Sequence, residues 1–338
     1  MKNGKILIYG ANGYTGGLFA KHLLSKGIRP ILAARSSKVE RVGKELNCET
    51  RIFNIENAED YLSDIDVLAN LAGPFSITQS DLIKSCLRSK THYVDIAGEY
   101  AEMANAFRFN DEARRVGTVI LPAAGFGVVP TDIAAKLACS KIKNPISLEI
   151  AYATNGGASR GTLKTVLKDI QKSGHILENG EYKIAKPAQS EIEVTVFKKR
   201  FKAVYNPWRA DLYTAKISTG VDNIQTYSEF PGFVVSMMKG NHTWLRNLLL
   251  NRIINLLPEG PSDKQLKKGS THIQAIAKNK KNEVARIEIK GPEAYIFTLI
   301  YLDKMISLIL ENESKKGCLT PSELGTEWLG KINGVEVK

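Results

Sequence analysis

The first 121 residues alternate short, unbroken apolar runs with stretches of helical periodicity. The runs are 5–9 (KILIY), 30–34 (PILAA), 50–53 (TRIF), 66–71 (DVLANL), 92–96 (HYVDI) and 118–122 (TVILP). Apolar runs without alternation predict strands buried on both faces, as in a parallel sheet covered by helices. Helical spacing shows between them, for instance over 17–26 and 79–90. Strand–helix alternation at this interval is the doubly wound α/β pattern. The pattern changes after about residue 125. A strand is expected over 146–154 and a helix over 162–172. Alternating strands are expected over 191–197, 215–219, 271–278 and 283–290, the last two joined as a hairpin at 279–282. Alternation implies a sheet with one buried face. The fold class read from the chain is therefore α/β: an N-terminal Rossmann doubly wound parallel sheet plus a C-terminal α+β domain with a mixed, mostly antiparallel sheet. A capping-box start, Thr320 or Ser322 with Glu323, predicts a last helix over 320–332.

The strongest chemical signal is GANGYTGG, residues 10–17. Gly10 permits a tight turn out of the first strand, Gly13 lets the backbone approach a pyrophosphate, and Gly16 lets the helix pack close to the sheet. The helix N-terminus then offers N–H groups and partial positive charge to the phosphates. Asn12, Tyr14 and Thr15 complete this turn. The end of the second strand decides the cofactor. Sites for NAD place a carboxylate there to hold the ribose hydroxyls. This chain has Arg35, Ser36 and Lys38, and no carboxylate before Glu40. A flat cation, a hydroxyl and an ammonium suit a 2′-phosphate. NADP(H) is the preferred cofactor, with NAD(H) open if Arg35 merely ends the strand. Two further loops, Ala72-Gly73-Pro74-Phe75 and Ala97-Gly98-Glu99, follow strands where ligands bind in this fold.

Composition narrows the function classes. The 338 residues are 43% hydrophobic and 24% charged, which is globular, and the length suits two domains. The net charge of +12 comes from Lys residues spread along the chain, without the basic–aromatic interleaving of a nucleic-acid binder. No nucleic-acid partner is expected. The four cysteines are dispersed and lack metal-ligand spacing, so no metal is expected and a reducing compartment fits. The chain runs straight into a strand, so no signal peptide is expected. The apolar stretch 294–310 is interrupted by Asp303 and Lys304. A cytoplasmic protein is the expectation. The stretch 230–257 is apolar with Arg246 and Arg252. It reads as a buried helix, as the lining of an apolar substrate pocket, or as a peripheral membrane contact.

These residues together resemble the saccharopine dehydrogenase-like oxidoreductases, including the trans-acting enoyl reductases of that superfamily. The matching stretches are GANGYTGG (10–17), LAARS (32–36), NLAGPF (70–75), Cys86, THYVDIAGE (91–99), AGFGVVPTDIAA (124–135), SRGTLKT (159–165), PEGPS (258–262) and TPSELG (320–325). The resemblance implies a Rossmann domain, taken as 1–125, and an α/β substrate and dimerisation domain, taken as 126–315. It implies a C-terminal segment, 316–338, packing back on the first domain, and an NADP-type cofactor. Saccharopine or a lipid-like acyl group are both substrates of such proteins, so the substrate stays open, as does a homodimer.

Candidate proton donors are His92, Tyr93, Asp95, Glu99, Thr131 and Asp132, each with a structural alternative in packing or capping. His92 falls at the far end of its strand from the ligand edge. Glu99, Ser159 and Arg160 are candidates for substrate binding, the last two because they open a helix whose N-terminus could meet an anion. The catalytic residue is not assigned, and no YxxxK pair stands near residue 140. Two functions remain: an NADP(H)-dependent oxidoreductase acting on a C=C, C=N or C=O group of a small or lipid-like substrate, and an NADP-binding sensor without turnover.

Overall fold

The computed structural model describes residues 4–241, 244, 248, 254–312 and 314–338, without the side chains at 168 and 169. The chain forms two units. One holds the residues up to 129 together with 297–324; the other holds 130–296 with 325–338.

In the first unit, β1 (Ile6–Tyr9), β2 (Ile31–Ala34), β3 (Thr50–Ile52), β4 (Val67–Asn70), β5 (His92–Asp95) and β6 (Val119–Leu121) build one sheet with the short strand Gly317–Cys318. Its order is Gly317–Cys318, β6, β5, β4, β1, β2, β3. Every pairing is parallel. All four residues of β1, β2 and β4 are buried. This is why those segments read as unbroken apolar runs: helices cover both faces. The helices are α1 (Tyr14–Ser25), α2 (Lys38–Leu46), α3 (Phe75–Ser89), α4 (Tyr100–Phe107) and α5 (Asn110–Val116). The strand order reverses between β1 and β4, the point at which an open α/β sheet parts its loops and admits a ligand. The helix Ala294–Glu311 contributes its residues from Phe297 onward. Asp303, which interrupts the apolar run there, is buried and pairs with His22 of α1 and with Lys26, the residue that ends α1. The charge therefore locks one helix to another.

The second unit carries β7 (Pro145–Asn155), β8 (Gly174–Glu178), β9 (Glu181–Ala185), β10 (Glu191–Val196), β11 (Lys199–Tyr205), β12 (Ile224–Ser228), β13 (Ser270–Asn279) and β14 (Val284–Pro292). The sheet runs β10, β11, β12, β7, β13, β14 and then Glu336–Val337, with β8 joining β12 to β9. Among the described residues only β7 and β12 pair in parallel; the other pairings of this sheet are antiparallel. The mixed, mostly antiparallel sheet is as the alternation predicts, including the β13–β14 hairpin. Its helices include α6 (Val129–Ser140), α7 (Arg160–Asp169) and α8 (Asp211–Thr219).

Two elements differ from the sequence expectation. Residues 215–219 are not a strand but the end of α8. Five alternating residues mimic a strand, yet the buried set Asp211, Leu212, Thr214, Ala215 and Ser218 follows helical spacing, and Gly220 ends the helix at φ +73. Residues 320–332 do not form one helix. They make two short 3-10 turns, Pro321–Leu324 and Leu329–Lys331, separated by Gly325 at φ +112. Half of the capping box survives: the Thr320 N–H donates to Glu323 Oε2 at 2.7 Å. Within 230–257 a helix covers Gly232–Met238. Residues 242–243, 245–247 and 249–253, where Arg246 and Arg252 fall, lie outside the described residues. No described helix is long and apolar enough to cross a membrane.

Candidate functional site

Three loops leave the carboxyl ends of β1, β4 and β5, and a fourth leaves β6. The first is the glycine turn. Gly10 exits β1 at φ +87, and its N–H donates to Ala33 O at 2.8 Å, with Ala11 N on the same carbonyl at 3.2 Å. A Cβ on Gly10 would lie 2.8 Å from Ala72 N, and one on Gly16 would lie 2.3 Å from Gly10 O. Packing alone therefore requires glycine at both positions. Gly13 differs. It is the N-cap of α1, its φ of −87 suits any residue, and no side chain caps the helix there. A Cβ on Gly13 would meet only Gly10 O, at 3.2 Å. The first turn of α1 thus presents N–H groups that no capping side chain covers, beside a backbone stripped of side chain. Asn12 and Gly13 are exposed, and Tyr14 and Thr15 half-buried, around this point.

Ala33, which receives the glycine turn, leads directly to Arg35, Ser36 and Lys38. Arg35 and Lys38 are exposed and Ser36 is half-buried. Ser37 precedes α2 without a side-chain cap. The Tyr9 hydroxyl donates to Phe53 O at 3.3 Å. Burial raises its pKa, and the nearby Arg35 charge opposes that rise. The cationic segment and the glycine turn therefore share one corner of the sheet. This is the arrangement a pyrophosphate and a 2′-phosphate on one adenosine require.

Gly73 and Gly98 lie in open space: a Cβ on either would meet no atom within 4 Å. Gly127, in the loop after β6, would meet only Gly98 Cα, at 4.0 Å. Ala72, Pro74 and Phe75 stand with Gly73 at the start of α3, where Pro74 is the N-cap. Glu99 is the N-cap of α4, and its Oε2 accepts the Gly98 N–H at 2.9 Å. The open glycines fit a flat ring system entering over the strand ends.

A buried polar network holds these loops, and sequence reading saw its members only singly. Asp95 Oδ1 accepts the N–H groups of Ala97 at 3.0 Å and Ala123 at 2.9 Å. Its Oδ2 accepts Gln79 Nε2 and the Tyr93 hydroxyl, each at 2.9 Å. Asn70 Nδ2 donates to Thr78 Oγ1 and to the Tyr93 hydroxyl, both at 3.0 Å. Asn70 Oδ1 accepts Ala72 N at 3.1 Å, and Thr78 Oγ1 donates to Ala72 O at 2.8 Å. Asn70 and Gln79 were not among the sequence candidates. The available signal was an amide at the end of an apolar strand, where burial demands partners.

The remaining candidates occupy other places. His92 opens β5 at the opposite end of the strand; its Nδ1 accepts Val119 N at 2.9 Å. Burial, aided by the Lys316 charge, lowers its pKa to about 4. In the second unit, Ser159 Oγ caps α7 by accepting Thr162 N at 3.2 Å. Its own N–H donates to the Tyr295 hydroxyl at 2.8 Å. The Arg160 guanidinium lies 3.2 Å from Glu259 and donates to Asn255 O at 3.3 Å. Thr131 donates to buried Asp211, which Arg209 also pairs. Ser218 Oγ donates to Asp132 at 2.7 Å. Among the described residues no cluster of His, Cys, Asp and Glu could hold a metal ion.

Comparison with known proteins agrees with this geometry. Residues 6–121, roughly a third of the chain, match the family model of the saccharopine dehydrogenase NADP binding domain. A putative trans-acting enoyl reductase of Mycobacterium tuberculosis is 27% identical over 181 residues, covering 48% of this chain and 43% of that protein. A trans-acting enoyl reductase of Mycobacterium leprae is 31% identical over 140 residues, covering 38% of this chain and 34% of the relative. The chain thus spans less than half the length of these curated relatives. Among solved structures, apo saccharopine dehydrogenase (L-Glu forming) from Saccharomyces cerevisiae superposes with a TM-score of 0.67 at 11% identity, covering 99% of each chain. That likeness is one of fold.

Proposed function

We propose that this protein is an NADP(H)-dependent oxidoreductase acting on a C=C, C=N or C=O group of a small or lipid-like substrate. The observation that carries this reading is the pairing of two features on one sheet edge. The turn at Gly10–Gly16 and the cations Arg35 and Lys38 suit the adenosine and phosphate half of the cofactor. The unfilled glycines Gly73, Gly98 and Gly127 suit its other half. When bound, the nicotinamide supplies or takes up the hydride. The chain's part is to hold the phosphates on α1, to seat the ring between the loops, and to exclude water.

The loops favour an uncharged acceptor. Residues 71–77, 96–100 and 122–128 contain one charged side chain, Glu99, and no cation. Ile77 is 62% exposed beside Pro74 and Phe75, and Phe126 is half-buried. A lipid-like enoyl group, of the kind the mycobacterial relatives' names describe, suits such walls better than a polycarboxylate. The four cysteines are all free, which supports a reducing compartment such as the cytoplasm.

A second reading, an NADP sensor without turnover, is supported by the engagement of the buried groups: Asp95 is spent on the loop amides of Ala97 and Ala123, and the Tyr93 hydroxyl on Asp95 and Asn70. Following NADPH oxidation against enoyl-thioester, imine and oxo-acid panels separates the two. Tight NADPH binding with no turnover on any panel sinks the enzyme. For the cofactor, Arg35→Asp is expected to weaken NADPH binding by about 30-fold or more and to narrow the gap to NADH. Unchanged preference in equilibrium titrations would remove Arg35 from the site.

A further inference from the structure

We propose that Asp95 is a buried carboxylate, held as the anion by four neutral donors, whose charge makes the cofactor site bind the oxidised, cationic nicotinamide more tightly than the reduced one. This rests on the cofactor reading above and adds a direction to it.

The charge state follows from the hydrogen bonds. Asp95 is fully buried at the carboxyl end of β5. Four donors converge on it: Ala97 N and Ala123 N on one oxygen, Gln79 Nε2 and the Tyr93 hydroxyl on the other. The backbone donors have no alternative role. Gln79 is held the right way round, since its Oε1 accepts Asn105 Nδ2 at 2.8 Å. The Tyr93 oxygen already accepts from Asn70, whose own orientation is fixed by Ala72 N, so the tyrosine proton is left for Asp95. A carboxylate offers about four acceptor sites and no proton, which matches four donors. A protonated acid would aim its own O–H at a donor. Burial is the larger influence and holds the Asp95 pKa above the usual carboxylate range, while the four donors oppose that rise; the assignment of the anion rests on their geometry.

Among the described residues the groups bonded to Asp95 are all neutral: two backbone amides, a side-chain amide and a phenol. The carboxylate sits under the loops that carry Gly98 and Gly127 and ties them together through Ala97 and Ala123. The two redox forms of the cofactor differ by one positive charge on the ring. Were the ring seated over these loops, an anion held below them would favour the oxidised form in a medium where charge interactions are weakly screened. By linkage, a site that prefers the oxidised form makes the bound reduced form the stronger hydride donor. The protein is thereby set up to work as a reductase.

The test is equilibrium titration of the full-length protein with NADP+ and NADPH separately, reading the ratio Kd(NADPH)/Kd(NADP+). Asp95→Asn is expected to lower this ratio roughly three- to tenfold. Tyr93→Phe removes a donor and keeps the charge, so it weakens both forms while the ratio stays within about twofold. Gln79→Lys sets an ammonium against Asp95 Oδ2 and lowers the ratio in the same direction; it serves as the readout if Asp95→Asn does not fold. A ratio unchanged or raised by Asp95→Asn, or by Gln79→Lys in its place, overturns the proposal. Failure of the wild-type protein to bind either form overturns the cofactor reading itself, and this inference with it.

Discussion

Glycines mark loops at sheet ends in both units, yet they do opposite work. In the first unit, Gly73 and Gly98 have no neighbour for a Cβ, and Gly127 has one atom at 4.0 Å. In the second, a Cβ on Gly156 or on Gly269 would lie 2.3 Å from Glu293 Cγ. The first set keeps space empty; the second fills it with a neighbouring side chain. Polar groups show the same division. Ser159 and Arg160 are engaged by Thr162, Tyr295, Asn255 and Glu259. The turn at Gly13 has no capping side chain at all. A helix N-terminus without a side-chain cap, and open glycines on the neighbouring loops, are what the proposed cofactor site needs, whereas a capped terminus beside packed glycines is architecture.

Substitutions can break this contrast. The largest effect is expected from Gly13→Val, whose φ of −87 permits a side chain although its Cβ would press on Gly10 O at 3.2 Å, and which puts a branched side chain where the pyrophosphate would approach. NADPH affinity should fall by about 100-fold or more, with the thermal midpoint little changed. Binding that survives in a titration would place the phosphates elsewhere. Gly156→Ala should do the reverse. Its φ of +132 and the collision with Glu293 predict a stability loss of about 2–4 kcal/mol in chemical denaturation, with NADPH affinity held within about threefold. An affinity loss at unchanged stability would show that the second loop also serves the ligand. The smallest effect belongs to Ser159→Ala. Loss of the α7 cap should cost about 1 kcal/mol and leave the KM of the reducible substrate unmoved. A raised KM with normal stability would return Ser159 to the substrate site.

Much of the first unit was legible because its signals are local. Buried parallel strands must be continuous apolar runs, and a strand–glycine–helix turn for phosphate must occupy consecutive residues. The second unit was less so. β8, β9, β11 and β12 were not anticipated: β8, β9 and β11 pair with chain neighbours but carry mixed patterns, and β12 owes its place to β7, distant in sequence. The stretch 215–219 misled because five residues cannot separate a period of two from a period of 3.6 when Ala and Ser are tolerated on either face.

Gly10, Gly13, Gly16 and Arg35, proposed for the cofactor, could be named from the chain because their spacing along it is their geometry. The sequence by itself determined a strand–glycine–helix turn and a doubly wound sheet, and it raised the expectation of a 2′-phosphate preference that the proposed function carries. Only the tertiary structure joined Asn70, Gln79, Tyr93 and Asp95, which come from two strands and a helix, and set the Ala97 and Ala123 amides on one carboxylate. Hydrogen bonds between residues 16 and 28 positions apart have no signature in local pattern. They exist because the sheet brings the ends of β4, β5 and β6 side by side, and burial then obliges every polar group there to find a partner.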